Sequence, residues 1–282
     1  MGKWLWWLYI SPFWIYFDLL SAFGTKDTNN LHLTSKNQEK FDSLCDQISR
    51  LIVEDINYID LISQVVNMGQ TFAKEMGFQD PNLFIAERRG ESVKIGVKEA
   101  LNENFREKLD LLLKGQHPLT SINGLTYPDG IFYKISPENK LFPELMLSYI
   151  VHAPVQIPLT QRHVLNYFGI GEGNTTIFLT PSKDLNKMQN YLFCKWEELV
   201  ESPIDENFMR ELAIFHWYFV QVSPLIQGSE FAAKALVNAL LKTKGINLQV
   251  NPFRQMEFEV LLEPYIEEFV RNYETYFIKR RS

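Results

Sequence analysis

With 282 residues, 46% of them hydrophobic and 22% charged, the chain has enough apolar content for a sizeable core and is not disordered. A net charge of -6 argues against a broad nucleic-acid surface, and the Lys279-Arg280-Arg281 run is too short to reverse that. Cys45 and Cys194 cannot make a disulfide framework, and with the five histidines they show no metal-ligand spacing.

Trp4 to Phe23 is almost wholly apolar, with Asp18 its only charge and Trp4, Trp6, Trp7, Tyr9, Phe13, Trp14, Tyr16 and Phe17 among its rings. Several readings stay open. A signal peptide would use Lys3 as its charged start and Ser21-Ala22 near a cleavage site. A transmembrane anchor has the length but contains Pro12 and Asp18. An interfacial anchor suits tryptophan and tyrosine, whose rings favour the headgroup region; packing onto the domain itself is the fourth reading. The balance favours a membrane surface held through residues 4–23, so the expected localisation is membrane-associated or secreted. Gly2 fits N-myristoylation poorly, because Trp6 stands where Ser or Thr is expected.

The expected organisation is a hydrophobic segment over 1–24, a linker over 25–37, a helical and mixed lobe over 38–150, and a core domain over 151–282. Phe41, Leu44, Ile48, Leu51 and Ile52 repeat at helical spacing, and Ile59, Ile62, Val65, Val66 and Phe72 continue the pattern until Gly77-Phe78-Gln79-Asp80-Pro81 breaks it. Ser92 to Val97 alternates like a strand and Leu101 to Leu113 reads as helix. Turn signals surround Pro128-Asp129-Gly130.

Leu159 to Leu165 can open a helix, and Asn174 to Pro181 is β-branched and strand-like. Gly169, Gly171 and Gly173 precede that strand, the reverse of the order a dinucleotide loop needs, and read as a flexible entry to it. Ser182-Lys183-Asp184 begins a helix with Leu185, Met188, Leu192 and Trp196 facing the core. The next helix is expected to start at Ser202-Pro203-Ile204-Asp205, to carry Phe208, Leu212, Phe215, Phe219 and Val222 on one apolar face, and to end before Pro224.

Ser223-Pro224-Leu225-Ile226-Gln227-Gly228-Ser229 then reads as a loop, followed by a helix from Ser229 that stops at Gly245. The N-terminal amides of that second helix point back into the loop and can hold an anion. An ordinary helical hairpin with a Pro-Gly turn explains the same spacing.

Ser223 to Phe231, with Pro224 and Gly228 in register, resembles the central motif of the Fic/Doc/AvrB (Fido) superfamily, which in Fic enzymes reads HPFxxGNGR between two helices. Ser223 stands at the motif His and Phe231 at the motif Arg, which argues against ordinary AMP transfer. His216-Trp217-Tyr218, Gln227-Gly228-Ser229, Lys244-Gly245-Ile246 and Pro252-Phe253-Arg254 are closest in pattern to the AvrB-like effector branch. The resemblance covers roughly residues 159 to 275. It implies a mainly α fold, a Fido-like helical core with a small β-hairpin flap and an additional α+β lobe.

What the resemblance implies for function is transfer of a sugar from a nucleotide-sugar donor to a Ser or Thr of a target protein. A catalytically degenerate binding module or scaffold, and AMP or phosphocholine transfer by a remodelled site, are the alternatives. On this reading His216 and Glu257 are the catalytic candidates, His216 to position donor or acceptor and Glu257 to bind a sugar hydroxyl. Gln227, Gly228, Ser229 and Arg254 are the donor-binding candidates. No metal site and no nucleic-acid partner are expected. The bland counterparts are a hydrogen-bonded core histidine, a solvated helix carboxylate, a surface ion pair for Arg254 and a helix cap for Ser229.

Overall fold

A computed structural model describes residues 31–75, 94–97, 103–114, 121–122, 125–126, 133–152, 175–225, 229–251 and 256–280. The protein is mainly helical. In chain order the helices are α1 (Leu31–Val53), α2 (Tyr58–Glu75), α3 (Glu103–Leu113), α4 (Ser182–Glu201), α5 (Phe208–Val222), α6 (Ser229–Thr243), α7 (Met256–Leu261) and α8 (Ile266–Asn272). The strands are β1 (Lys94–Val97), β2 (Ser121–Ile122), β3 (Leu125–Thr126), β4 (Tyr133–Ile135), β5 (Tyr149–His152), β6 (Thr175–Phe178), β7 (Leu248–Val250) and β8 (Phe277–Lys279), the last following a 3-10 turn at Tyr273–Tyr276.

Helices α1 and α2 form an antiparallel pair whose ends are set by local chemistry. Asp55 takes the left-handed conformation at φ 58°. Its amide bonds Ile52 O at 3.1 Å and the Ile56 amide bonds Leu51 O at 3.3 Å, a Schellman closure of α1. Asn57 Oδ1 then accepts the Asp60 amide at 3.0 Å and opens α2. Phe41, Leu44, Cys45, Ile48 and Ile52 are buried on α1, and Tyr58, Leu61, Val65, Val66 and Phe72 on α2. Ile59, expected inside, is 51% exposed. Starting α2 at Tyr58 turns Tyr58 and Leu61 inward and Ile59 to solvent.

Strands β1, β6, β5 and β4 make a four-stranded antiparallel sheet in that order, with Lys94 opposite Phe178, Tyr149 opposite Phe178 and Ile135 opposite Ile150. The strand expected over 174–181 is therefore an inner strand, paired on both sides. Two further pairs, β2 with β3 and β7 with β8, are small antiparallel ladders, the second joining strands separated by α7 and α8. The sheet pairing joins residues on both sides of position 150, and α1 packs along α6, so a single apolar cluster runs from Phe41 to Tyr276.

α4 matches expectation, with Leu185, Met188, Leu192 and Trp196 all buried. The expected start of the next helix at Ser202 is corrected. Ser202 ends α4 instead: its amide bonds Glu198 O at 2.9 Å and its hydroxyl bonds Leu199 O at 2.9 Å. Pro203 bars Ser202 from helical geometry, and Ser202 is extended at ψ 144°. Asp205 opens α5, accepting the amides of Asn207 at 2.8 Å and Phe208 at 3.1 Å. The single apolar face expected for α5 is also corrected, since eleven of its residues, Phe208, Leu212, Ala213 and Phe215 to Val222, are buried. It is a central helix, enclosed by α4, α6, α7 and α8.

Candidate functional site

α5 ends before Pro224 and α6 runs from Ser229 to Thr243, as the sequence suggests, and the hydroxyls of Ser223 and Ser229 are spent on the fold. Ser223 closes α5 in the left-handed region at φ 47°, ψ 65°. Its amide bonds Phe219 O at 3.0 Å and its hydroxyl bonds Val220 O at 2.8 Å. A non-glycine residue in this conformation costs about 1–2 kcal/mol, offset here by two helix-end carbonyls that would otherwise lack donors. The Gln221 carbonyl is satisfied in turn by the Ser148 amide at 3.2 Å, the Ser148 hydroxyl, and Thr180 Oγ1 at 3.0 Å.

Ser229, a donor-binding candidate, is 5% exposed and turned onto the loop. Its hydroxyl accepts the Leu225 amide at 3.1 Å and donates to Leu225 O at 3.3 Å, so one side chain satisfies both backbone polar groups of Leu225. Gln189 Nε2 bonds Pro224 O at 3.3 Å from α4. Gln227, Gly228 and Arg254 lie outside the described residues. Glu257 has its backbone in α7. α7 is tied to α5 through Gln221 Nε2, which donates to Val260 O at 2.8 Å.

His216 is fully enclosed, two helical turns before Ser223 and so about 10 Å back along α5 from the loop. Its ring meets Phe269 and Tyr273 edge-on at 6.2 and 5.9 Å between centroids. Nδ1 lies 3.0 Å from the Tyr273 hydroxyl, and Nε2 has no hydrogen-bond partner among the described residues. Burial, with a smaller contribution from the charge of Lys234, pulls the imidazole from 6.5 down to about 3. It is therefore neutral at neutral pH and sealed from solvent. The structure brings His216 to α8 and the Tyr273 turn, and Ser229 to Leu225; it does not bring these two residues together.

Phe231 is the residue that sequence reasoning undervalued. In the register of the resemblance it occupies the place of the phosphate-binding arginine. Its ring packs against Phe41 of α1 at 5.6 Å and Phe72 of α2 at 5.5 Å. The α1–α2 pair is locked onto α6 further along by the Lys242–Asp46 ion pair and the Ser49–Thr243 hydroxyl contact at 2.8 Å. The signal was present as the apolar stripes containing Phe41 and Phe72, but not their target. Arg280 was also missed: it bonds Leu248 O at 3.0 Å and Asn238 O at 2.6 Å, fastening β8 to β7 and α6.

A cleft of about 300 Å³ lies between α1 and α2, with Leu44, Met68 and Phe72 among its apolar lining and Lys40, Asn67 and Glu75 among its polar lining. Lys40 and Glu75 pair across it at 3.3 Å. Among the described residues no group of three or more His, Cys, Asp or Glu could hold a metal ion. No helix among them is long and apolar enough to cross a membrane. No family model matches the chain, and no curated protein matches it.

Proposed function

We propose that this chain is a Fido-like binding module, a helical core of that type which engages a target protein without transferring a group to it. The observation that carries this reading is Phe231, whose ring is committed to Phe41 and Phe72 at the position where a phosphate-binding cation would stand. A diphosphate needs concentrated positive charge or a preorganised set of donors. Position 231 offers an aromatic ring, and position 227 an uncharged glutamine. Two further observations support it. His216 is sealed among rings and neutral, so reaching a substrate hydroxyl would require opening the core. Ser229 already spends its hydroxyl on Leu225.

The aromatic-rich stretch 4–23 would hold the module at a membrane surface. Co-sedimentation of the full chain, but not of residues 25–282, with lipid vesicles is the expected result. The transfer step is tested by incubating the full chain and a cell extract with radiolabelled nucleotide sugars. No protein should acquire label beyond what the extract incorporates without the chain. Label that depends on this chain and disappears with Glu257→Ala would instead establish the sugar-transferase alternative.

A further inference from the structure

α8 and the 3-10 turn at Tyr273–Tyr276 lie over α5 with one buried side and one open side, and β8 beyond them is paired with β7. Ile266, Phe269, Tyr273 and Tyr276 are buried, whereas Glu267, Arg271, Asn272, Glu274 and Thr275 are exposed. α6, on another side of His216, is buried for most of its length and clamped from outside by α1. Of these two neighbours, α8 with the 3-10 turn is therefore the one that can lift with less loss of packing, while β8 stays on β7.

The polar group inside the contact is His216. Its Nδ1 is matched to the Tyr273 hydroxyl, while Nε2 meets no acceptor among the described residues and no solvent. An imidazolium there would carry two N–H donors into a cage built from Phe269 and Tyr273, with Lys234 of α6 adding a like charge. Tyr273, the titratable group facing it from the segment, has its hydroxyl held neutral by burial. The Arg210–Glu267 pair, 3.5 Å apart, is at the surface and distant in role. Nothing in this set compensates a buried positive charge.

We propose that the segment Ile266–Tyr276 is an acid-released latch, held on α5 by a neutral His216 and lifted when that ring takes up a proton. Release hydrates the imidazolium and uncovers the face of α5 that the segment protects. The direction follows from linkage. The closed-state value, about 3, lies below the 6.5 of the open state, so the open form binds more protons between those limits. The latch is fully closed above about pH 6.5 and weakens as pH falls toward 3. Asp42, which feels the charge of Arg280 past β8, works in the opposite sense: burial raises its carboxyl, so acid relieves its cost and it is not the trigger.

Hydrogen exchange on the full chain, corrected for intrinsic rates, reads the latch directly. Between pH 7 and about pH 4.5, amide protection in 266–276 should fall by up to about 100-fold, the linkage limit over two pH units below 6.5, while α4, α5 and α6 keep theirs. His216→Phe should retain protection of the segment at the lower pH. Loss of protection in all these elements together, or the same segment loss in His216→Phe, would overturn the proposal. NMR titration of the wild-type His216 ring gives a second reading that needs no variant. The ring should not titrate in the closed state above about pH 5. A closed-state midpoint near 6.5 would overturn the latch as well.

Discussion

Phe231→Ala is expected to destabilise the protein by about 2–4 kcal/mol, although position 231 is only partly buried. A fully enclosed phenylalanine replaced by alanine costs about 3–5 kcal/mol through lost transfer free energy and the cavity left behind. Partial exposure lowers that figure, while the two ring contacts at 5.6 and 5.5 Å restore some of it. An aromatic pair contributes about 0.5–1.5 kcal/mol beyond area burial. Urea unfolding followed by tryptophan fluorescence is a suitable assay, because Trp196 and Trp217 are buried in the same core. The midpoint should fall with an unchanged slope. A double-mutant cycle with Phe72→Ala should give a coupling energy of about 0.5–1.5 kcal/mol. A loss under about 0.5 kcal/mol for Phe231→Ala, the size of an ordinary surface change, would refute a core role for this ring.

Three further outcomes follow from other parts of the fold. Gly245 ends α6 at φ +71° with nothing within 4 Å of an added Cβ, so Gly245→Ala should cost only the left-handed penalty of about 1–2 kcal/mol in the same unfolding assay. Asn238→Ala strips the Val250 amide of its acceptor at 2.7 Å inside the core, and a loss of about 1–3 kcal/mol is expected, read as a lower midpoint. Cys194 is exposed and Cys45 buried, and burial pushes the Cys45 thiol well above its ordinary value, with Asp42 adding to it. A thiol reagent should modify Cys194 at once and Cys45 only on unfolding; equal rates would contradict the packing of α1.

Much of the helical frame was legible because its punctuation is local. Pro224 forces α5 to end, and Gly245 permits the Schellman closure of α6, with the Gly245 amide on Lys242 O and the Ile246 amide on Leu241 O. Ser202 was misread because a serine serves either end of a helix, and only the length of α4 decides which. Strands β1 and β6 were legible as segments, but their partnership joins positions about eighty apart, which alternation does not encode. β5 was not anticipated, since Tyr149-Ile150-Val151 is too short a run to announce itself.

The site was less legible than the frame, for a physical reason. A histidine beside Trp217 and Tyr218 has the same sequence signature whether it faces a cleft or a cage, and the residues that seal His216, Phe269 and Tyr273, lie more than fifty positions away. Ser229 likewise reads as a helix start with a free hydroxyl until Leu225 is seen to occupy it. Phe231 gives no hint in sequence of what it packs against.

Thermal unfolding of the full chain against UDP- and dTDP-sugars, ATP and CDP-choline tests the binding-module reading most directly. A donor that binds only the folded state, at a hundredfold excess over its Kd, adds about 2.7 kcal/mol and raises the midpoint by several degrees. The expected result is no shift with any of them, in the wild type or in Glu257→Ala. A rise with one donor class that Glu257→Ala removes would contradict the reading and identify a working nucleotide-sugar site.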